Sequence, residues 1–342
     1  MTEKNNTSLM EDYDPARDDP DMRYTLNGDF TVPFLRPFRS MKDLLQIKSQ
    51  NGFEVIIIIP TRNEEPNIGK TLDNVLPLKE VGLVDIIRVI DNSDDNTEAE
   101  VRKRNVPFDR SSDILTKRGI TYEPGKGTNL YAGALHYKKP NQIIIFADAD
   151  FSVRASQIQG VLSPLIEDTA LKMSLAWLKR RTMRGEDGGS FSVGGRATAN
   201  AFKPGMRIYY PELNGLQQPL CGLYAARADT LATCNFTNGF GIETLLITQI
   251  ADTYGAEAFV QVFCGEKTQL GQNSHSIAMM SQQIVRTIIQ SAEAAKRKPV
   301  EVTEVITYPM QIDRETGITV INKAIEKLPE VILDAPEKVT VA

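Results

Sequence analysis

The chain has few of the residues that most often carry covalent or redox chemistry. Among its 342 residues are three cysteines, Cys221, Cys234 and Cys264, and two histidines, His136 and His275. The cysteine number is odd, and the spacings fit neither a CxxC pair nor a disulfide framework. We therefore expect reduced thiols in a cytoplasmic protein. The shortage of histidine gives little support to a Ser–His–Asp hydrolase.

Long apolar runs and basic stripes are also missing. No apolar run is longer than residues 55–59, whereas a membrane-spanning helix needs about 20 apolar residues. The polar, acidic N-terminus lacks the basic and apolar regions of a signal peptide. The net charge is −5, and the one basic cluster, 179–184, is interpreted as a solvated strand end. We expect neither a membrane nor a nucleic acid as partner.

The pattern that is present alternates between buried strands and amphipathic helices. The predicted strands are 54–60, 84–91, 142–148, 173–180 and 258–263. The predicted helices are one that starts near Pro66, then 97–104, 156–166 with Ser156 as its cap, 239–255 and 276–298. The alternation predicts an α/β fold with a Rossmann-like, mostly parallel sheet and helices on both faces.

The chain is expected to divide into four segments. The predicted segments are a disordered or loosely attached N-terminus over 1–25, a first half over 26–165, a smaller second half over 166–298, and a C-terminal extension over 299–342. The first segment has little apolar content to bury. We assign no role to the last one.

Polar loops follow three of the predicted strands. They are residues 60–64, 91–94 and 148–150. In open α/β sheets, ligands bind outside the carboxyl ends of the strands. The sequence therefore predicts that these loops form one rim of a binding site.

The aspartates in "QIIIFADADF" are the first candidates for chemistry. Asp148 and Asp150 are two residues apart, so in an extended segment both carboxylates face the same way. Mg²⁺ and similar ions bind in proteins through one or two carboxylates together with substrate phosphates. The alternative is a solvated turn, because aspartate is common in turns.

The Gly-rich stretch "PGKG", residues 124–127, is the second candidate. Its glycines permit a close backbone approach, Lys126 offers a charge for phosphate, and the following helix N-terminus adds donors. The spacing matches neither a P-loop nor a dinucleotide-binding fingerprint. An ordinary loop remains the alternative.

Three further side chains are also candidates for a role. Glu243, at the start of a helix, is either functional or compensates the helix dipole. His136 is interpreted as a structural residue of a helix. His275 precedes a helix in a polar loop and is a candidate ligand.

Taken in order, the motifs of this chain resemble a known family. The stretches in the first half are "IIIIPTRNEEPNIGKTL", "VIDNSDDNT", "GKGTNLYAGA" and "FADAD". They are similar to those of GT-A glycosyltransferases, which use nucleotide-sugar donors. The stretches in the second half are "GGRAT", "QPLCGLYAAR", "GFGIETLLI" and "MSQQIV". These resemble the glucosyl-3-phosphoglycerate synthase family, and the similarity runs from about 54 to 290.

The resemblance implies that the half over 26–165 binds the nucleotide sugar and that the half over 166–298 binds the acceptor and completes the metal site. It also implies a role for particular residues. Those that match nucleotide-sugar contacts are Pro60, Thr61, Arg62, Glu64, Ser93, Lys126, Asp148 and Ala149. Asp150, with Asp148, matches the metal-binding aspartates. Arg196 and Thr198 match contacts to the acceptor's phosphate and glycerate. Glu243 matches the acid that holds the donor sugar near its reacting carbon, and Lys126 joins it as a catalytic residue.

The chain departs from the family at two places. Where the family has Gly-Gly-Glu-Tyr, this chain has Cys221 to Tyr224, and the lost acid leaves the identity of the donor sugar open. The family's metal-binding histidine falls on Gln269, counted without gaps, and the nearest histidine is His275. We expect His275 to complete the metal site, with Gln269 as the alternative.

The sequence is therefore interpreted as a cytoplasmic, retaining glycosyltransferase that uses Mg²⁺ or Mn²⁺. It is expected to move glucose from UDP-glucose to 3-phosphoglycerate or a similar acid, as in compatible-solute synthesis, and to form a homodimer. The alternatives are a GT-A enzyme with another donor or acceptor, mannosyl or polyprenyl-phosphate, and a nucleotide-sugar-binding protein without turnover. A nucleotidyltransferase is not favoured, because "PTRNEEPN" is not its Gly-rich basic loop.

Overall fold

The structure is a computed structural model that describes most of the chain. The described residues are 22–25, 40–151, 153–183, 190–192, 195–270, 274–302, 304–307, 310–312, 319–321 and 324–327. Within these ranges, no helix combines the length and hydropathy that a membrane crossing requires.

The elements follow the alternation that the sequence predicts. The strands are β1 Met22–Thr25, β2 Glu54–Thr61, β3 Ile86–Asp91, β4 Phe108–Arg110, β5 Gln142–Ala147, β6 Met173–Met183, β7 Ser190–Ser192, β8 Leu223–Arg227, β9 Phe259–Leu270, β10 Glu304–Thr307, β11 Met310–Ile312, β12 Thr319–Ile321 and β13 Ala324–Lys327. The helices are α1 Met41–Asn51, α2 Glu65–Glu80, α3 Thr97–Arg102, α4 Ser111–Thr116, α5 Lys126–Ala134, α6 Ala155–Glu167, α7 Lys203–Tyr209, α8 Ala228–Leu231, α9 Ile242–Tyr254 and α10 Ser274–Ala294. A π-helical turn, Thr198–Phe202, leads directly into α7.

One sheet joins both halves of the chain. Its strand order is β1-β9-β6-β8-β5-β2-β3-β4, and β7 pairs with β6. Strands β5, β2, β3 and β4 run parallel, whereas β8 is antiparallel to both β5 and β6. The predicted α/β class is confirmed, and the parallel order is interrupted where β8 enters the sheet.

Each central strand is buried on both faces. Along β2, the side chains of Val55, Ile57 and Ile59 belong to one apolar cluster, and those of Ile56 and Ile58 belong to the other. Helices α1, α2 and α6 pack on the first face, and α5, α9 and α10 pack on the second. A continuous apolar run is what a strand covered on both faces requires.

Several element boundaries differ from the sequence-based expectation. Helix α6 begins at Ala155, and its cap is Arg154, so the prediction that Ser156 caps this helix is wrong. The Gln157 side chain accepts from the backbone N–H of Arg154 at 2.9 Å and replaces the expected serine cap. Strand β9 reaches Leu270 and pairs with β6 along most of its length. Pairing with β6 extends this strand beyond the apolar residues 258–263 on which the prediction was based.

The ends of the chain are described only in part. Met22–Thr25, inside the segment expected to be loosely attached, pairs with β9 as an edge strand. Residues 1–21 and 26–39 lie outside the described residues. In the C-terminal extension, β10 pairs with β13 and β11 pairs with β12.

The sheet brings the predicted loops to one edge. Thr61 at the end of β2 lies beside Asp91 at the end of β3. Asp148 follows β5 directly, and Gly222 precedes the antiparallel β8 at the same edge, since Leu223 pairs with Ala147. Residues from four separate stretches therefore meet at this edge.

Candidate active site

A lysine lies between two carboxylates at the carboxyl edge of the sheet. The Lys126 Nζ is 2.8 Å from Asp148 Oδ2 and 2.5 Å from Glu243 Oε1. Burial alone disfavours an ammonium, but the two carboxylates outweigh it and raise the pKa of Lys126 above its ordinary value. Lys126 is therefore a fixed positive charge at any physiological pH.

Two helix N-termini hold this charge cluster. Lys126 is the first residue of α5, and Glu243 lies in the first turn of α9. Negative charge is favoured at a helix N-terminus, which suits Glu243. Its side chain is only 5% exposed, so Lys126 supplies the compensation that a buried carboxylate requires. The structure brings together the two residues predicted as catalytic.

The approach to Glu243 is held by the "MSQQIV" motif on α10. Gln283 Oε1 accepts from the Phe240 N–H at 2.8 Å. A side chain at Gly239 would collide with that same amide, because its Cβ would lie 2.3 Å from Gln283 Oε1. The glycine and the glutamine together determine where α9 begins and hence where Glu243 points.

Asp148 is placed by the backbone of Gly222. The Asp148 N–H donates to Gly222 O at 2.9 Å. Gly222 has φ +83°, and a Cβ there would be 2.3 Å from Asp148 Oδ2. Burial, and after it the charges of Asp150 and Glu243, raise the pKa of Asp148 against the pull of Lys126.

Two further acids lie near Asp148. Burial raises the pKa of Glu64, and the charges of Asp150 and Asp148 add to the effect. Asp150 is exposed, on a short turn over Ala149–Phe151. The repulsion felt by Glu64 shows that the three carboxylates share one electrostatic environment.

A buried phenol is part of the same environment. Tyr224 on β8 is 1% exposed, and its hydroxyl has no hydrogen-bond partner among the described residues. Burial, then the charges of Glu243 and Asp148, raise its pKa well above the ordinary value. Tyr224 thus stays protonated and keeps an unused donor close to the acid cluster. The sequence did not single it out.

The predicted nucleotide loops are joined through Asp91, which is fully buried. Its carboxylate accepts from Thr61 Oγ1 at 2.6 Å and from Ser93 N at 2.9 Å. It also forms an ion pair of 3.0 Å with Arg110. The Ser93 hydroxyl donates to Asp91 and accepts from Asn63 N at 2.7 Å. Asp91 was missing from the predicted site residues, although it ends a strand within the predicted rim.

This network changes how two predicted contacts are interpreted. The side chains of Thr61 and Ser93 are 2% and 3% exposed and bond within the protein. Their hydroxyls therefore position the loops. Arg62 and Glu64 extend from the same loop, and Arg62 is exposed whereas Glu64 is partly exposed. Their contacts with a nucleotide, like that of Pro60, stay predictions.

The glycines of "PGKG" approach protein backbone. A Cβ at Gly125 would lie 2.1 Å from Asn238 O, and one at Gly127 would lie 1.7 Å from Thr237 O. Gly127 N also donates to Asn238 O at 3.0 Å. These glycines therefore let the start of α5 pack against the 237–238 segment, and this packing carries Lys126 towards Glu243.

Ala149, predicted as a contact of the nucleotide sugar, is 2% exposed. Its carbonyl accepts from Thr71 Oγ1 on α2 at 2.7 Å. This bond anchors the turn between Asp148 and Asp150.

Of the predicted acceptor residues, Thr198 begins the π-helical turn before α7, and Arg196 lies two residues ahead of it. Arg196 is exposed, and Thr198 is 2% exposed. π-Helical turns are rare and occur often at functional sites. No contact between these residues and the acid cluster is among the described ones, so their role stays a prediction.

The two residues proposed for the metal lie in different elements. His275 is the second residue of α10 and is exposed. Gln269 pairs with Thr182 in β9, and its side chain lies outside the described residues. In the part of the chain that is described, no three His, Cys, Asp or Glu side chains form a group able to hold a metal.

The acids nevertheless fit a hard divalent cation. Asp150 is exposed and has no hydrogen bond or ion pair among the described contacts. Its charge and that of Asp148 both act on Glu64. Mg²⁺-type ions commonly bind through one or two carboxylates and complete their shell with phosphate and water. Asp150, with Asp148, is the pair that would hold such an ion.

The lost family acid falls on a position that faces away from this site. Leu223 is fully buried in the apolar cluster that also holds Cys221, whereas Tyr224 belongs to the cluster on the other face. Successive residues of a strand point to opposite faces. The Leu223 side chain therefore packs among apolar neighbours, on the face of the sheet opposite to the one that carries Glu243.

Known proteins are similar to this chain in sequence. Residues 56–214 match the family described as Glycosyl transferase family 2. The chain is 28% identical over 260 residues to the glucosyl-3-phosphoglycerate synthase of Petrotoga mobilis, covering 75% of this chain and 78% of that protein.

Solved structures with a similar fold include the glucosyl-3-phosphoglycerate synthase of Mycobacterium tuberculosis. Its complex with phosphoglyceric acid is 25% identical, with TM-score 0.66, covering 80% of this chain and 90% of that one. Its complex with Mn²⁺ and UDP-glucose is 23% identical, with TM-score 0.66, covering 87% and 94%.

A mannosyl-3-phosphoglycerate synthase from Rubrobacter xylanophilus is also similar in fold. It is 24% identical, with TM-score 0.64, covering 83% of this chain and 89% of that one. Together these likenesses confirm the predicted GT-A fold, the resemblance to glucosyl-3-phosphoglycerate synthases and the enzyme class, a glycosyltransferase.

The contact between Gly222 and Asp148 gives a first prediction. Gly222→Ala introduces a Cβ that must displace the Asp148 carboxylate. We expect kcat/KM to fall about 100-fold, the scale of a displacement of about 1 Å in an active site. Gly82→Ala is the control, since Gly82 has φ +81° and nothing within 4 Å of the new Cβ. Both variants should lose about 1–2 kcal/mol of stability through backbone strain. Equal kcat/KM in both would contradict the role of Gly222.

The charge cluster gives a second prediction. Lys126→Met leaves the buried Glu243 and the partly exposed Asp148 without a cation, which should cost roughly 3–5 kcal/mol of unfolding free energy and abolish turnover. The raised pKa of Asp148 means that the folded state binds a proton more readily than the unfolded chain, so acid favours folding. The loss of unfolding free energy in Lys126→Met relative to wild type, measured by urea unfolding, should therefore be smaller at pH 5 than at pH 8.

Lys48→Met is the matched control for this variant. Lys48 is also a buried lysine, paired with Asp85 at 2.7 Å but far from the site in α1. It should lose stability and keep its turnover. Turnover retained by Lys126→Met would show that the cluster is structural only.

Proposed function

We propose that this glycosyltransferase moves glucose from UDP-glucose to 3-phosphoglycerate or a similar phosphorylated three-carbon acid, with retention of configuration at the transferred carbon. The observation that carries the proposal is the Lys126 ammonium held between Asp148 and Glu243 at the carboxyl edge of the sheet. The named relatives support the choice of substrates.

Lys126 would stabilise the leaving diphosphate. As the bond between the sugar and the diphosphate breaks, negative charge develops on the leaving oxygen. A preorganised, buried cation stabilises such charge without having to reorganise. Two carboxylates hold the ammonium in place, and its raised pKa keeps it from losing a proton to either one.

Glu243 would orient the donor sugar. One of its oxygens is bound to Lys126, which leaves the other free to accept from a sugar hydroxyl. An acid engaged by a lysine is a weak nucleophile. This favours attack of the acceptor hydroxyl from the face that the diphosphate leaves, with its proton passing to the leaving oxygen.

Arg196 and Thr198 would hold the acceptor. A guanidinium matches the geometry of a phosphate through paired charge-assisted hydrogen bonds. Arg196 is exposed at the entrance of the π-helical turn, where an incoming anion can reach it.

Asp150, with Asp148, would hold a divalent cation, which supplies Lewis-acid stabilisation of the diphosphate when bound. The Mn²⁺ complex of the Mycobacterium tuberculosis protein supports a divalent metal. The choice between Mg²⁺ and Mn²⁺, the cytoplasmic location and the homodimer stay predictions.

The main alternative function is transfer of mannose by an enzyme of the same fold. It is supported by the similarity to a mannosyl-3-phosphoglycerate synthase. The departure at Leu223 does not distinguish the two donors, because this side chain faces away from Glu243. A polyprenyl-phosphate acceptor and a binding protein without turnover are the remaining alternatives from the sequence.

A donor-by-acceptor screen tests the proposal. UDP- and GDP-linked glucose and mannose are each offered with 3-phosphoglycerate, with glycerate and with a polyprenyl phosphate. Nucleoside diphosphate release is followed, and the product anomer is assigned by NMR. We expect turnover with UDP-glucose and 3-phosphoglycerate and an α-linked product. Turnover only with GDP-mannose, or an inverted product, would contradict the proposal. If no combination of donor and acceptor gives nucleoside diphosphate release, the binding protein without turnover is favoured.

The metal site gives a third prediction. With UDP present, Asp150→Asn should weaken Mn²⁺ binding at least tenfold, as measured by calorimetry, because it removes a charged oxygen ligand. Asp113→Asn changes an exposed carboxylate of α4 and should have no effect. His275→Ala should weaken binding about tenfold and Gln269→Ala much less. The reverse order would show that the Gln269 amide replaces the histidine. Unchanged Mn²⁺ affinity in Asp150→Asn would contradict this metal site.

A further inference from the structure

A cavity of about 620 Å³ lies beside β4, the last strand in the order of the sheet. Its walls come from β3, β4, α3, α4 and the residues just after α4 and α5. None of its lining residues is among the predicted residues of the active site. Pockets that bind small molecules have volumes in this range. The cavity is therefore a candidate for a second binding site.

Basic side chains outnumber acidic ones in this cavity. Its carboxylates are Glu98, Asp109 and Asp113, and its cations are Arg88, Arg102, Arg110, Lys117 and Arg118. The whole chain has a net charge of −5, so the cavity is positive against the overall sign. A cleft with an excess of one charge concentrates ions of the opposite charge. The cavity therefore favours an anion.

Two of the carboxylates are already engaged by arginines. Asp109 Oδ2 accepts from Arg88 Nη2 at 2.6 Å. Glu98 pairs with Arg102 at 2.6 Å and with Arg110 at 3.3 Å. These ion pairs fix one side of the cavity, and neither acid compensates the two remaining cations.

Lys117 and Arg118 are the cavity cations that have no carboxylate partner among the described residues. Both follow the last turn of α4 and are exposed. Arg118 Nη2 lies 3.2 Å from His136 Nδ1, which is an uncharged acceptor. A guanidinium carries five donors, and it pairs with phosphate through two parallel hydrogen bonds. Arg118 therefore keeps donors for an anion.

His136 lies just after α5 and reports the charge of the cavity that it lines. Burial, and then the charges of Arg88 and Arg118, lower the pKa of His136, and the charge of Asp109 opposes them. Because a guanidinium can only donate, the Nδ1 atom accepts and the ring is neutral. An anion bound beside the arginines would offset their charges, so the pKa of His136 would rise.

We propose that this cavity binds the phosphate group of a small anionic ligand, with Arg118 and Lys117 as its main contacts. Inorganic phosphate and a phosphorylated metabolite share this chemistry. The positive charge is limited to one cavity of an acidic protein, whereas a nucleic acid needs a series of phosphate contacts. The proposal is independent of the proposed function, because no residue of the catalytic cluster takes part in it.

Arg110 connects the cavity to the rim of the active site. It lines the cavity and pairs with Asp91 at 3.0 Å, and Asp91 holds the side chains of Thr61 and Ser93. Replacement of Arg110 would therefore disturb the rim as well as the cavity. Lys117 and Arg118 are better positions for a test, because they are exposed and lie outside that network.

Sulfate is the probe for this site, because it is a tetrahedral dianion whose charge does not change near neutral pH. The chain has two histidines, His136 and His275, so NMR resolves two sets of ring C–H signals, which His136→Gln assigns. Sulfate replaces chloride in metal-free protein at constant ionic strength. We expect a saturable shift of the His136 signal and a pKa of His136 raised by about 0.5 or more at saturation. His275 is the internal reference and should show no saturable shift.

Three variants change the charge of the cavity in known directions. Arg118→Met should weaken sulfate binding about tenfold or more, because it removes charge-assisted hydrogen bonds. Lys117→Met should weaken it about threefold, and Asp113→Asn should tighten it about twofold, since exposed charges contribute less. Lys79→Met is the matched control: Lys79 is an exposed lysine in the last turn of α2, and its replacement should leave the sulfate affinity unchanged.

Glucose 6-phosphate distinguishes the two sources of the phosphate group. It is titrated in the same way as sulfate, with the His136 signal as the readout. Tighter binding than that of sulfate would assign the site to a phosphorylated metabolite. Equal or weaker binding would assign it to inorganic phosphate.

Two results would overturn the site. Shifts of both histidine signals that are equal and do not saturate would show only a general effect of the salt. Unchanged sulfate affinity in Arg118→Met, with Asp113→Asn no tighter than wild type, would show that the basic residues after α4 only compensate its helix dipole. Circular dichroism and an unchanged urea midpoint confirm that each variant is folded.

Discussion

The active-site architecture depends on one buried charge cluster. Lys126, Asp148 and Glu243 come from the start of one helix, the end of a central strand and the start of another helix. Each of the two carboxylates would be costly to bury alone, and the lysine would be costly without them. The three elements can therefore pack closely only in the arrangement that brings these charges together.

Glycines provide the space that this arrangement needs. Gly125 and Gly127 let α5 approach the backbone of 237–238, Gly239 leaves room for Gln283, and Gly222 leaves room for Asp148. None of these glycines has to contact a ligand to matter for function. A glycosyltransferase site on this fold is made of loops that approach each other more closely than any side chain would permit.

The two halves of the chain differ in how their polar groups are satisfied. In the half over 26–165, the Asp91 carboxylate accepts hydrogen bonds from Thr61 and Ser93 and forms an ion pair with Arg110. In the half over 166–298, the side-chain nitrogens of Trp177 and Gln218 are buried and have no hydrogen-bond partner among the described residues. The first half satisfies its buried carboxylate with its own residues, whereas the second keeps buried donors without an acceptor.

The amino-acid sequence determined the α/β class, the buried strands and the polar rim, because apolar periodicity and turn chemistry are local properties. It also indicated Asp148, Lys126 and Glu243 as candidates through their positions at the ends of predicted strands and the starts of predicted helices, and the family resemblance suggested their roles. Only the tertiary structure decided that these three are mutual partners, that Thr61 and Ser93 serve Asp91, and that Leu223 faces away from the site. Lys126 and Glu243 are 117 residues apart, so no local pattern can pair them. Asp91, Tyr224 and the unpaired donors of Trp177 and Gln218 escaped the sequence for the same reason: burial and lack of a partner are created by neighbours that only the folded chain supplies.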